Sequence, residues 1–479
     1  MLVFETRLLR ADERERLAQF ISRNPLADTI AAALHAADGR VFLVGGGVRD
    51  LMLGREIKDI DVEVHGLALE RLIALLKQYG EVFEVGKAFG VLRLSTAPLI
   101  DWSLPRSDGA GRHPRVAIDP QMGIADALRR RDLTMNALAI DMLEYELIDP
   151  FGGLADMQEG RLRCIDPEIF IEDPLRLFRV MQFIGRFGME PDELLNETCR
   201  AMDIRGVSRE RIEDEVRKLL LLSLSPSHGI RWLRSIGRLD EIMPEVAATV
   251  GVHQNPRWHP EGDVFEHTMQ VLDAAAAETR EFPDDERLLF MYAAICHDLG
   301  KAKTTSMEKG RLTSHGHEVA GVPLTQNLLH RLVGSKELIK RAALLVRYHM
   351  SPGSFVANGA KPPAYKRLAR ALAPHLSLAL LARFFSIDRH GRNPDGGRPL
   401  TGPLPDVDAF IERAAQIGVL HGPEEPVVQG RDLKDCVEPG PVLGTLVRRA
   451  YELQINEGMR DKQRLIDQVL REARIFVKR

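Results

Sequence analysis

The chain has 479 residues, of which 44% are hydrophobic and 28% charged, a composition typical of a soluble globular protein of about three domains. Its formal net charge of −4 excludes a generally basic nucleic-acid-binding protein, so contacts with nucleic acid must come from local basic patches. The sequence contains neither an apolar run long enough to cross a membrane nor a secretory signal, and its four cysteines are scattered, so we expect a cytoplasmic protein that does not contact membranes.

The N-terminal third of the sequence predicts an α+β domain. Residues 1–38 have apolar positions at helical spacing, which predicts a helical N-terminal extension. Residues 39–155 contain stretches that predict strands and helices in alternation. The predicted strands are VFLVG, DIDVEV, EVFEV, VLRLS and LIDWSL, and the predicted helices are GVRDLMLG and LALERLIALLKQYG. Turn-forming residues over 107–123 predict a mobile loop.

The rest of the chain is predicted to be almost entirely helical. Residues 156–250 form a predicted neck and body, and residues 251–395 form a second helical region that is unusually rich in histidine. A Gly/Pro-rich linker, GRNPDGGRPLTGPLPD, leads into a helical tail over residues 396–479. The expected fold class is therefore α+β, with a mixed-sheet head followed by helical neck, body, histidine-rich domain and tail.

A glycine turn and a pair of aspartates stand out in the head. Gly45 and Gly46 would allow backbone amides to approach a triphosphate at the start of a helix, where Arg49 can pair with a phosphate oxygen. Asp59 and Asp61 alternate along a predicted strand, so both carboxylates point to one face. Two Mg²⁺ ions ~3.5–4 Å apart would relieve their repulsion and support phosphate chemistry. Taken alone, such a pair is more often solvated on a surface strand.

Two further segments have both a structural and a functional interpretation. In RRRDLTMNALAID, Asp132 precedes a helix-like apolar run and is a good N-cap, while Arg131 and Asn136 can be a surface charge and a local hydrogen-bonding group. In EDPLRLFR, Asp173 before a proline likewise predicts the start of a helix. Asp173 and Arg176 would then share one face of that helix.

Four segments together resemble a known family. GGGVRDLMLGREIKDIDVEV, RRDLTMNALA, DPFGGLADM and EDPLRLFR are similar, in this order, to the motifs of class II tRNA nucleotidyltransferases and bacterial poly(A) polymerases, a branch of the polymerase β-like superfamily. The resemblance implies that Asp59 and Asp61 are catalytic and bind two Mg²⁺ ions for nucleotidyl transfer to an RNA 3′-hydroxyl. Asp101 is a candidate third carboxylate, with a buried or capping role as the alternative. The implied nucleotide-binding residues are Gly45, Gly46, Arg49, Arg131, Asp132, Asn136, Asp173, Arg176 and Arg179.

The fourth of these motifs implies a way to select the base. In the family an Asp/Arg pair, here Asp173 and Arg176, serves as an amino-acid template. The carboxylate accepts a hydrogen bond from an exocyclic amine and the guanidinium donates to a ring acceptor, which admits CTP and ATP and rejects UTP and GTP. Gln182 departs from the family pattern, because many members carry an arginine there for a phosphate contact.

A set of histidines and aspartates occurs in the histidine-rich region, in FEHTM, ICHDLGK, RYHM and SIDRHG. Adjacent His and Asp near a helix end closed by Gly300 can both reach one metal, and mixed imidazole and carboxylate ligands suit Mg, Mn, Ni, Fe or Zn. The order resembles the HD phosphohydrolase superfamily, which implies a divalent metal and a metal-activated water that attacks a phosphoester. The implied ligands are His267, His297, Asp298, His349 and Asp388, with His317 as a further candidate.

The two resemblances imply a bacterial CCA-adding tRNA nucleotidyltransferase with an HD domain over residues 251–395. Such an enzyme adds CCA to tRNA 3′ ends from CTP and ATP, and its HD domain is associated with phosphatase and 2′,3′-cyclic phosphodiesterase activity that suits 3′-end repair. Residues 200–240 carry nine Lys and Arg against six Asp and Glu, and residues 441–479 carry nine against five. These patches would contact phosphates of the tRNA acceptor arm.

Several alternatives are open on sequence alone. Within the same enzyme class, the protein would be a poly(A) polymerase or an enzyme that adds only CC or only A. In another class, it would be an HD phosphohydrolase whose head docks RNA. A non-catalytic RNA-binding protein is a further alternative. The sequence also leaves open whether the chain forms a homodimer.

Overall fold

The computed structural model describes residues 5–57, 60–85, 91–108 and 116–473. The chain divides into two compact units. The first unit consists of Met1–Leu219 with His228–Arg238, and the second of Leu220–Ser227 with Leu239–Arg479. The segments predicted as the head belong to the first unit, and the histidine-rich region and tail belong to the second.

Up to residue 238, strands alternate with short helices before the chain becomes helical. The strands are β1 (Glu5–Leu8), β2 (Arg40–Val44), β3 (Ile60–His65), β4 (Val82–Val85), β5 (Val91–Leu94), β6 (Ala97–Ser103), β7 (Arg106–Asp108), β8 (Val116–Ile118), β9 (Ala139–Asp141), β10 (Glu146–Asp149), β11 (Arg161–Leu162) and β12 (Glu190–Pro191). The helices are α1 (Ala11–Ser22), α2 (Pro25–Ala36), α3 (Gly46–Met52), α4 (Leu69–Leu76), α5 (Ile124–Arg129), α6 (Gly153–Gln158), α7 (Pro167–Phe170), α8 (Leu175–Phe187), α9 (Glu193–Ala201), α10 (Arg209–Leu222) and α11 (Ser227–Ser235).

Within the described ranges, eight of these strands form one mixed sheet in the order β1-β10-β9-β2-β3-β6-β5-β4. β3 and β6 run parallel, and the other neighbouring strands are antiparallel. β2 and β3 are central, and four of the five residues of β2 are buried. A strand covered on both faces has a continuous apolar sequence, as VFLV has here. Because Val44 is opposite Asp61, the end of β2 lies beside the start of β3.

A buried cluster supports the central strands. Its members come from β2, β9 and β10 and from the neighbouring α5 and 3₁₀ segments, and they are Phe42, Val44, Leu128, Ala137, Ala139 and Ile148. Each of these residues is at most 2% exposed. This packing fixes the end of β2, from which the glycine turn begins. The α+β class expected from the sequence is confirmed.

The N-terminal segment contributes a strand as well as two helices. α1 and α2 agree with the predicted helical spacing. β1 adds an edge strand antiparallel to β10, with Glu5 opposite Asp149 and Leu8 opposite Glu146. The sequence does not predict this strand, because four residues are too few for an alternating pattern to be recognised.

The second unit is helical within the described ranges apart from one hairpin. Its helices are α12 (Leu239–Ile242), α13 (Pro244–Ala247), α14 (Val264–Glu278), α15 (Asp284–Cys296), α16 (Lys301–Thr304), α17 (His317–Leu332), α18 (Lys336–Tyr348), α19 (Ser351–Ala357), α20 (Pro362–Leu372), α21 (Leu378–His390), α22 (Pro405–Ile417), α23 (Pro441–Glu457) and α24 (Lys462–Glu472). The hairpin consists of β13 (Ser306–Glu308) and β14 (Arg311–Thr313). Among the described helices, none is both long and apolar enough to cross a membrane.

The structure corrects two local predictions. The described ends of the predicted loop over 107–123 pair with each other as β7 and β8, with Arg106 opposite Ile118. The apolar run after Asp132 is a single 3₁₀ turn, Thr134–Asn136, followed by β9, and not a helix. A short apolar run that is buried on every side has no clear period, so its sequence does not distinguish helix from strand.

Glu13 connects α1 to the edge strand. Its side chain is buried and accepts hydrogen bonds from Arg7 at 2.7 and 2.8 Å and from the backbone N–H of Arg10 at 2.8 Å. Burial alone would raise the pKa of Glu13, but the hydrogen bonds from Arg7 and Arg10 outweigh burial and lower that pKa to about 2. The ionised carboxylate therefore stabilises the fold.

We expect Glu13→Gln to reduce the free energy of unfolding by about 2–3 kcal/mol at pH 7, because it removes the charge that both arginines share. A carboxylate with a lowered pKa contributes stability above its unfolded value of 4.5, and this contribution is lost as the pH falls towards about 2. Urea unfolding of wild type and variant should therefore give a difference that narrows between those pH values. An equal difference at pH 7 and pH 3 would contradict this explanation.

Candidate functional site

The glycine turn after β2 brings a carboxylate and a guanidinium together. Gly45 has φ +71°, a conformation that glycine adopts readily and other residues rarely do. A Cβ at Gly45 would lie 2.9 Å from Nη1 of Arg131 and 3.2 Å from Oδ2 of Asp61. Glycine is therefore required both for the turn and for the close approach of these two side chains. As the sequence predicts, a helix, α3, begins at the next residue, Gly46.

Two aspartates lie side by side on the central strands. Asp61 is opposite Asp101 in the parallel pair β3 and β6. Arg93 donates to both oxygens of Asp101, at 2.7 Å to Oδ1 and 2.8 Å to Oδ2, so Asp101 has its own counter-ion. Asp59 lies outside the described residues, and its predicted place on the same face as Asp61 stays a prediction. The carboxylate of Asp61 is an oxygen ligand of the kind that Mg²⁺ prefers.

Arg49 is buried and bound by protein oxygens. Its Nε and Nη2 donate to the two oxygens of Asp50, each at 2.9 Å, and its Nη1 donates to Oδ1 of Asn136 at 2.7 Å. Nη2 of Arg186, on α8, lies 3.4 Å from the Asp50 carboxylate. Arg49 therefore links the first motif to the second, and its pairing with a phosphate stays a prediction.

Asp132 is a buried carboxylate with several partners. Its Oδ1 accepts hydrogen bonds from the backbone N–H of Leu133 and from Nδ2 of Asn136, both at 2.8 Å, and its Oδ2 accepts one from Nε of Arg179 at 2.6 Å. Burial alone would raise the pKa of Asp132, but Arg179 and Asn136 outweigh burial and hold that pKa well below its usual range. The interpretation of Asp132 as the N-cap of an α-helix is wrong, because a 3₁₀ turn follows it.

Asp173 and Arg176 lie at the start of α8, and each is held by a different partner. The predicted N-cap is displaced by one residue, because α8 begins at Leu175 and its N-cap is Pro174. Oδ1 of Asp173, one residue further back, accepts a hydrogen bond from the backbone N–H of Leu175 at 3.1 Å. Nη2 of Arg211 donates to both oxygens of Asp173, at 3.1 and 2.9 Å. Arg176 donates instead to two backbone carbonyl oxygens, at 2.8 and 2.7 Å. Both members of the predicted template pair are therefore fixed in orientation.

Two residues of α10 belong to this site although the sequence analysis does not predict them. Arg211 binds Asp173, and Glu215, which is buried, lies 4.0 Å from Nη1 of Arg179 and 2.7 Å from Nζ of Lys218. Arg211 and Glu215 are four residues apart and so share one face of the helix. A basic and an acidic residue four positions apart on a predicted helix indicate a shared face. The excess of basic residues over 200–240 does not show this pairing.

In the second unit, the six predicted metal ligands lie in one buried cluster. Five helices supply them, either from their inner faces or from the residues at their ends. The ligands are His267 on α14, His297 and Asp298 directly after α15, His317 at the start of α17, His349 directly after α18, and Asp388 on α21. Residues that are far apart in sequence thus meet as predicted.

Backbone contacts fix the tautomers of these histidines. Nδ1 of His297, His317 and His349 lies 2.9, 2.8 and 2.7 Å from the carbonyl oxygen three residues earlier in each case. A carbonyl oxygen only accepts, so each Nδ1 donates and each Nε2 keeps its lone pair for a ligand. Nδ1 of His267 lies 2.7 Å from a carboxylate oxygen of Glu261.

The first half of the cluster has acceptors that face one another. Nε2 of His267 lies 3.2 Å from Nε2 of His297 and 3.0 Å from Oδ1 of Asp388. Nε2 of His297 lies 3.3 Å from Oδ2 of Asp298. Acceptor atoms held this close in a buried site suit a cation, and mixed nitrogen and oxygen donors suit a divalent metal. His267, His297, Asp298 and Asp388 therefore fit one metal ion.

The second half of the cluster shares Asp298 with the first. Oδ1 of Asp298 lies 3.3 Å from Nε2 of His317 and 3.8 Å from Nε2 of His349. The two imidazole Nε2 atoms are 3.2 Å apart. Burial and the nearby His317 together lower the pKa of His349 to about 3, so this imidazole is neutral at pH 7. These three residues fit a second metal ion.

Two basic side chains pair with the carboxylates of this centre. Nζ of Lys301 lies 2.6 Å from Oδ2 of Asp298, and Nη2 of Arg392 donates to Oδ2 of Asp388 at 2.6 Å. Burial alone would raise the pKa of each of these aspartates. Lys301 and the nearby histidines outweigh burial at Asp298 and hold its pKa well below the usual range. Arg392 and the nearby histidines do the same for the pKa of Asp388. Both carboxylates are therefore ionised and available as metal ligands.

Gly300 permits the tight packing of this centre. Its φ is −63°, which any residue adopts, so glycine is not required for the backbone conformation. A Cβ at Gly300 would lie 2.0 Å from the carbonyl oxygen of His317. The absence of a side chain therefore allows α16 and α17 to approach closely enough for His317 to join the cluster.

Two protein families match the parts of the chain that contain these two candidate sites. A family described as the poly A polymerase head domain matches residues 41–163, and the HD domain family matches residues 264–373. The multifunctional CCA protein of Nitrosospira multiformis is 37% identical over 319 residues, which cover 65% of this chain and 73% of that protein. The multifunctional CCA protein of Nitrosomonas europaea is 36% identical over 396 residues, which cover 79% and 89%.

Solved structures share the fold. A Bacillus stearothermophilus CCA-adding enzyme in complex with CTP is 20% identical, with a TM-score of 0.63, and the match covers 94% of this chain and 97% of that one. A Thermotoga maritima CCA-adding enzyme complexed with tRNA is 19% identical, with a TM-score of 0.58 and coverage of 98% and 99%. The mixed-sheet head and the buried His/Asp centre thus define a nucleotidyltransferase with an HD domain. The chain belongs to the family of multifunctional CCA proteins, which are bacterial CCA-adding tRNA nucleotidyltransferases.

We expect Gly300→Ala to destabilise the second unit by about 1–3 kcal/mol and to lower the content of divalent metal, because the new Cβ displaces the backbone of His317. Metal content after loading and dialysis, together with thermal unfolding, measures both effects. Gly444→Ala on α23 is a matched control, because a Cβ there meets nothing within 4 Å. It should retain full metal content, and a Gly300→Ala protein with the same metal content and stability as this control would contradict the packing argument.

Proposed function

We propose that the first unit adds CCA to tRNA 3′ ends, without a nucleic-acid template, from CTP and ATP. The observation that carries this proposal is the meeting of Gly45, Asp61 and Arg131 at the turn before α3. A carboxylate for a metal, a guanidinium for phosphate and a turn without side chains are groups that suit a bound triphosphate. Relatives described as CCA-adding enzymes in complex with CTP and with ATP share the fold, which supports the choice of nucleotides.

Asp59 and Asp61 would hold the Mg²⁺ ions, which supply activation of the attacking hydroxyl and stabilisation of the leaving pyrophosphate when bound. Side chains and backbone of the protein bind and orient the nucleotide. Arg131 binds a phosphate oxygen beside Asp61, and the glycine turn lets the backbone approach the triphosphate. Asp132 and Asn136 bind the ribose hydroxyls, for which an ionised carboxylate and an amide are suitable partners.

Asp173 and Arg176 select the base. Arg211 holds the carboxylate of Asp173, and two carbonyl contacts hold the guanidinium of Arg176. Carboxylate oxygens have further lone pairs, so Asp173 can accept from the exocyclic amine of cytosine or adenine while it stays bound to Arg211. A rigid pair of this kind rejects a base that presents a carbonyl where the amine should be.

We further propose that the second unit is a phosphohydrolase with phosphatase and 2′,3′-cyclic phosphodiesterase activity that repairs RNA 3′ ends. A divalent metal held by His267, His297, Asp298 and Asp388 would supply an activated water when bound. His317 and His349 would bind a second metal through Asp298. The opposed acceptor atoms of this centre support the proposal, and they leave Mg, Mn, Ni, Fe and Zn as candidates.

The RNA partner is proposed to be the acceptor arm of tRNA. Its phosphates would contact the basic patches over residues 200–240 and 441–479, which makes binding dependent on shape and on salt concentration. We assign the N-terminal extension to residues 1–38, the head to 39–155, the neck and body to 156–250, the HD domain to 251–395 and the tail to 396–479. A Thermotoga maritima relative described as complexed with tRNA supports this choice of partner.

A tRNA transcript that lacks CCA distinguishes complete from partial addition. With CTP alone we expect the addition of two nucleotides, with ATP alone almost none, and with both nucleotides three, because Asp173 and Arg176 admit both bases. Gel analysis of the products at single-nucleotide resolution measures this. A long A-tail would favour a poly(A) polymerase, and arrest after two additions with both nucleotides present would favour a CC-adding enzyme.

Single substitutions should separate the two active sites. We expect Asp61→Asn to reduce nucleotide addition by at least about 100-fold, because it removes a charged metal ligand, and to leave phosphoester hydrolysis unchanged. Asp298→Asn should reduce phosphoester hydrolysis by a similar factor and leave nucleotide addition unchanged. Rates of CTP incorporation and of 2′,3′-cyclic AMP hydrolysis, measured on the same preparations, test both expectations.

Exposed aspartates provide the controls for these substitutions. Asp126→Asn on α5 and Asp285→Asn on α15 remove a carboxylate from the same units without touching either site. Both controls should retain full activity in both assays. Nucleotide addition that survives Asp61→Asn would overturn the metal assignment in the head. Hydrolysis that survives Asp298→Asn would place that activity outside the HD centre.

A further inference from the structure

A cavity of about 420 Å³ lies in the second unit at the end of α21. The Gly/Pro-rich segment that follows this helix forms part of its wall. Two contacts hold the segment in place, because Leu400 donates its backbone N–H to the carbonyl oxygen of His390 at 2.9 Å, and Nε2 of His390 lies 3.2 Å from the carbonyl oxygen of Gly402. The lining residues are Arg257, Trp258, Arg389, His390, Arg392 and residues 400–404.

The cavity borders the metal-ligand cluster. Arg392 lines the cavity and also donates to Asp388 at 2.6 Å. A second connection begins at Trp258. The next residue is His259, whose Nδ1 lies 2.9 Å from Oε1 of Glu261. The same carboxylate oxygen lies 2.7 Å from Nδ1 of His267. The cavity is therefore adjacent to side chains that contact two of the metal ligands, Asp388 and His267.

The charge of the cavity is positive. It has three guanidinium groups, and two carboxylates compensate part of their charge. Asp388 binds Arg392 closely, whereas Asp406 lies 3.8 Å from Arg389. Arg257 is exposed and places its guanidinium carbon 5.3 Å from the centre of the Trp258 ring. The excess positive charge suits a phosphate group.

Trp258 gives the cavity an aromatic surface that faces solvent. The chain has three tryptophans, and Trp102 and Trp232 are 0% and 7% exposed, whereas Trp258 is 57% exposed. An exposed indole contributes little to a core, but it can stack on a nucleobase, and every base has a face suitable for stacking. A cavity of this volume is large enough for a nucleoside.

We propose that this cavity binds the terminal nucleotide of the RNA whose 3′ phosphoester enters the HD centre. The base stacks on Trp258, and Arg257 and Arg389 contact the phosphate on its 5′ side. The cavity thereby gives the centre a preference for nucleotides over phosphoesters without a base. This proposal rests on the phosphohydrolase activity proposed above, and it adds the substrate class and the residues that recognise it.

Tryptophan fluorescence of the full chain tests binding without relying on catalysis. Adenosine 3′,5′-bisphosphate, which carries both the 3′ phosphoester and the 5′ phosphate, is titrated in the presence of a chelator. It should quench the emission in a saturable manner, because Trp258 is the exposed tryptophan. Trp258→Phe should abolish the saturable quenching. Arg257→Ala should raise the Kd about fivefold or more, whereas Arg413→Ala, an exposed arginine on α22, should leave the Kd unchanged. Saturable quenching that persists in Trp258→Phe, or equal Kd values for the two arginine variants, would overturn the proposal.

Hydrolysis of a nucleotide and of glycerol 2-phosphate, which has no base, gives a second readout. In Trp258→Ala the ratio of kcat/KM for adenosine 2′-monophosphate to that for glycerol 2-phosphate should fall about tenfold, the scale of one stacking contact. An unchanged ratio would overturn the cavity proposal and leave the phosphohydrolase proposal intact. If the wild type hydrolyses neither compound but shows quenching that depends on Trp258, the phosphohydrolase proposal fails while the nucleotide site stands.

Discussion

The buried carboxylate of Asp132 is the constraint on which the arrangement of the head around the glycine turn depends. An ionised group out of contact with water must be paired, and removal of one partner of such a pair typically costs about 3–5 kcal/mol. Arg179 of α8 and Asn136 of the 3₁₀ turn supply the partners. Asn136 also accepts from Arg49, which is 87 residues away in sequence and follows the glycine turn. One network of charges therefore positions the glycine turn, the 3₁₀ turn and α8 relative to one another.

The HD centre combines protein charges with free acceptor atoms. Lys301 and Arg392 pair with one oxygen each of Asp298 and Asp388. The remaining nitrogen and oxygen atoms of the centre lie 3.0–3.3 Å from one another, an arrangement that suits a divalent cation. The network around Asp132 therefore closes on protein groups alone, whereas the histidines around Asp298 leave acceptor atoms that face one another.

Much of this arrangement could be predicted from the sequence where a local pattern determines the outcome. The apolar run of β2, the turn at Gly45 and the start of α8 to within about one residue were each visible in short segments. The ordered histidines and aspartates predicted a set of side chains that does meet in one buried cluster. The sequence could not predict which side chains pair with one another in the folded protein. It indicated Asp173 and Arg176 as neighbours, but not that Arg211 binds Asp173. Partners of this kind come from helices that meet only in the folded chain, and a short buried run such as the one after Asp132 has no period that distinguishes helix from strand.

A double-mutant cycle on Asp132 and Arg179 tests the central role of the buried network most directly. The measured quantity is kcat/KM for CTP in nucleotide addition, for Asp132→Ala, Arg179→Ala and the double variant. If the pair acts as a unit, the double variant should be no worse than the poorer single variant, with a coupling energy of at least about 2 kcal/mol. Losses that simply multiply would contradict the account, because they would show that the two residues act independently.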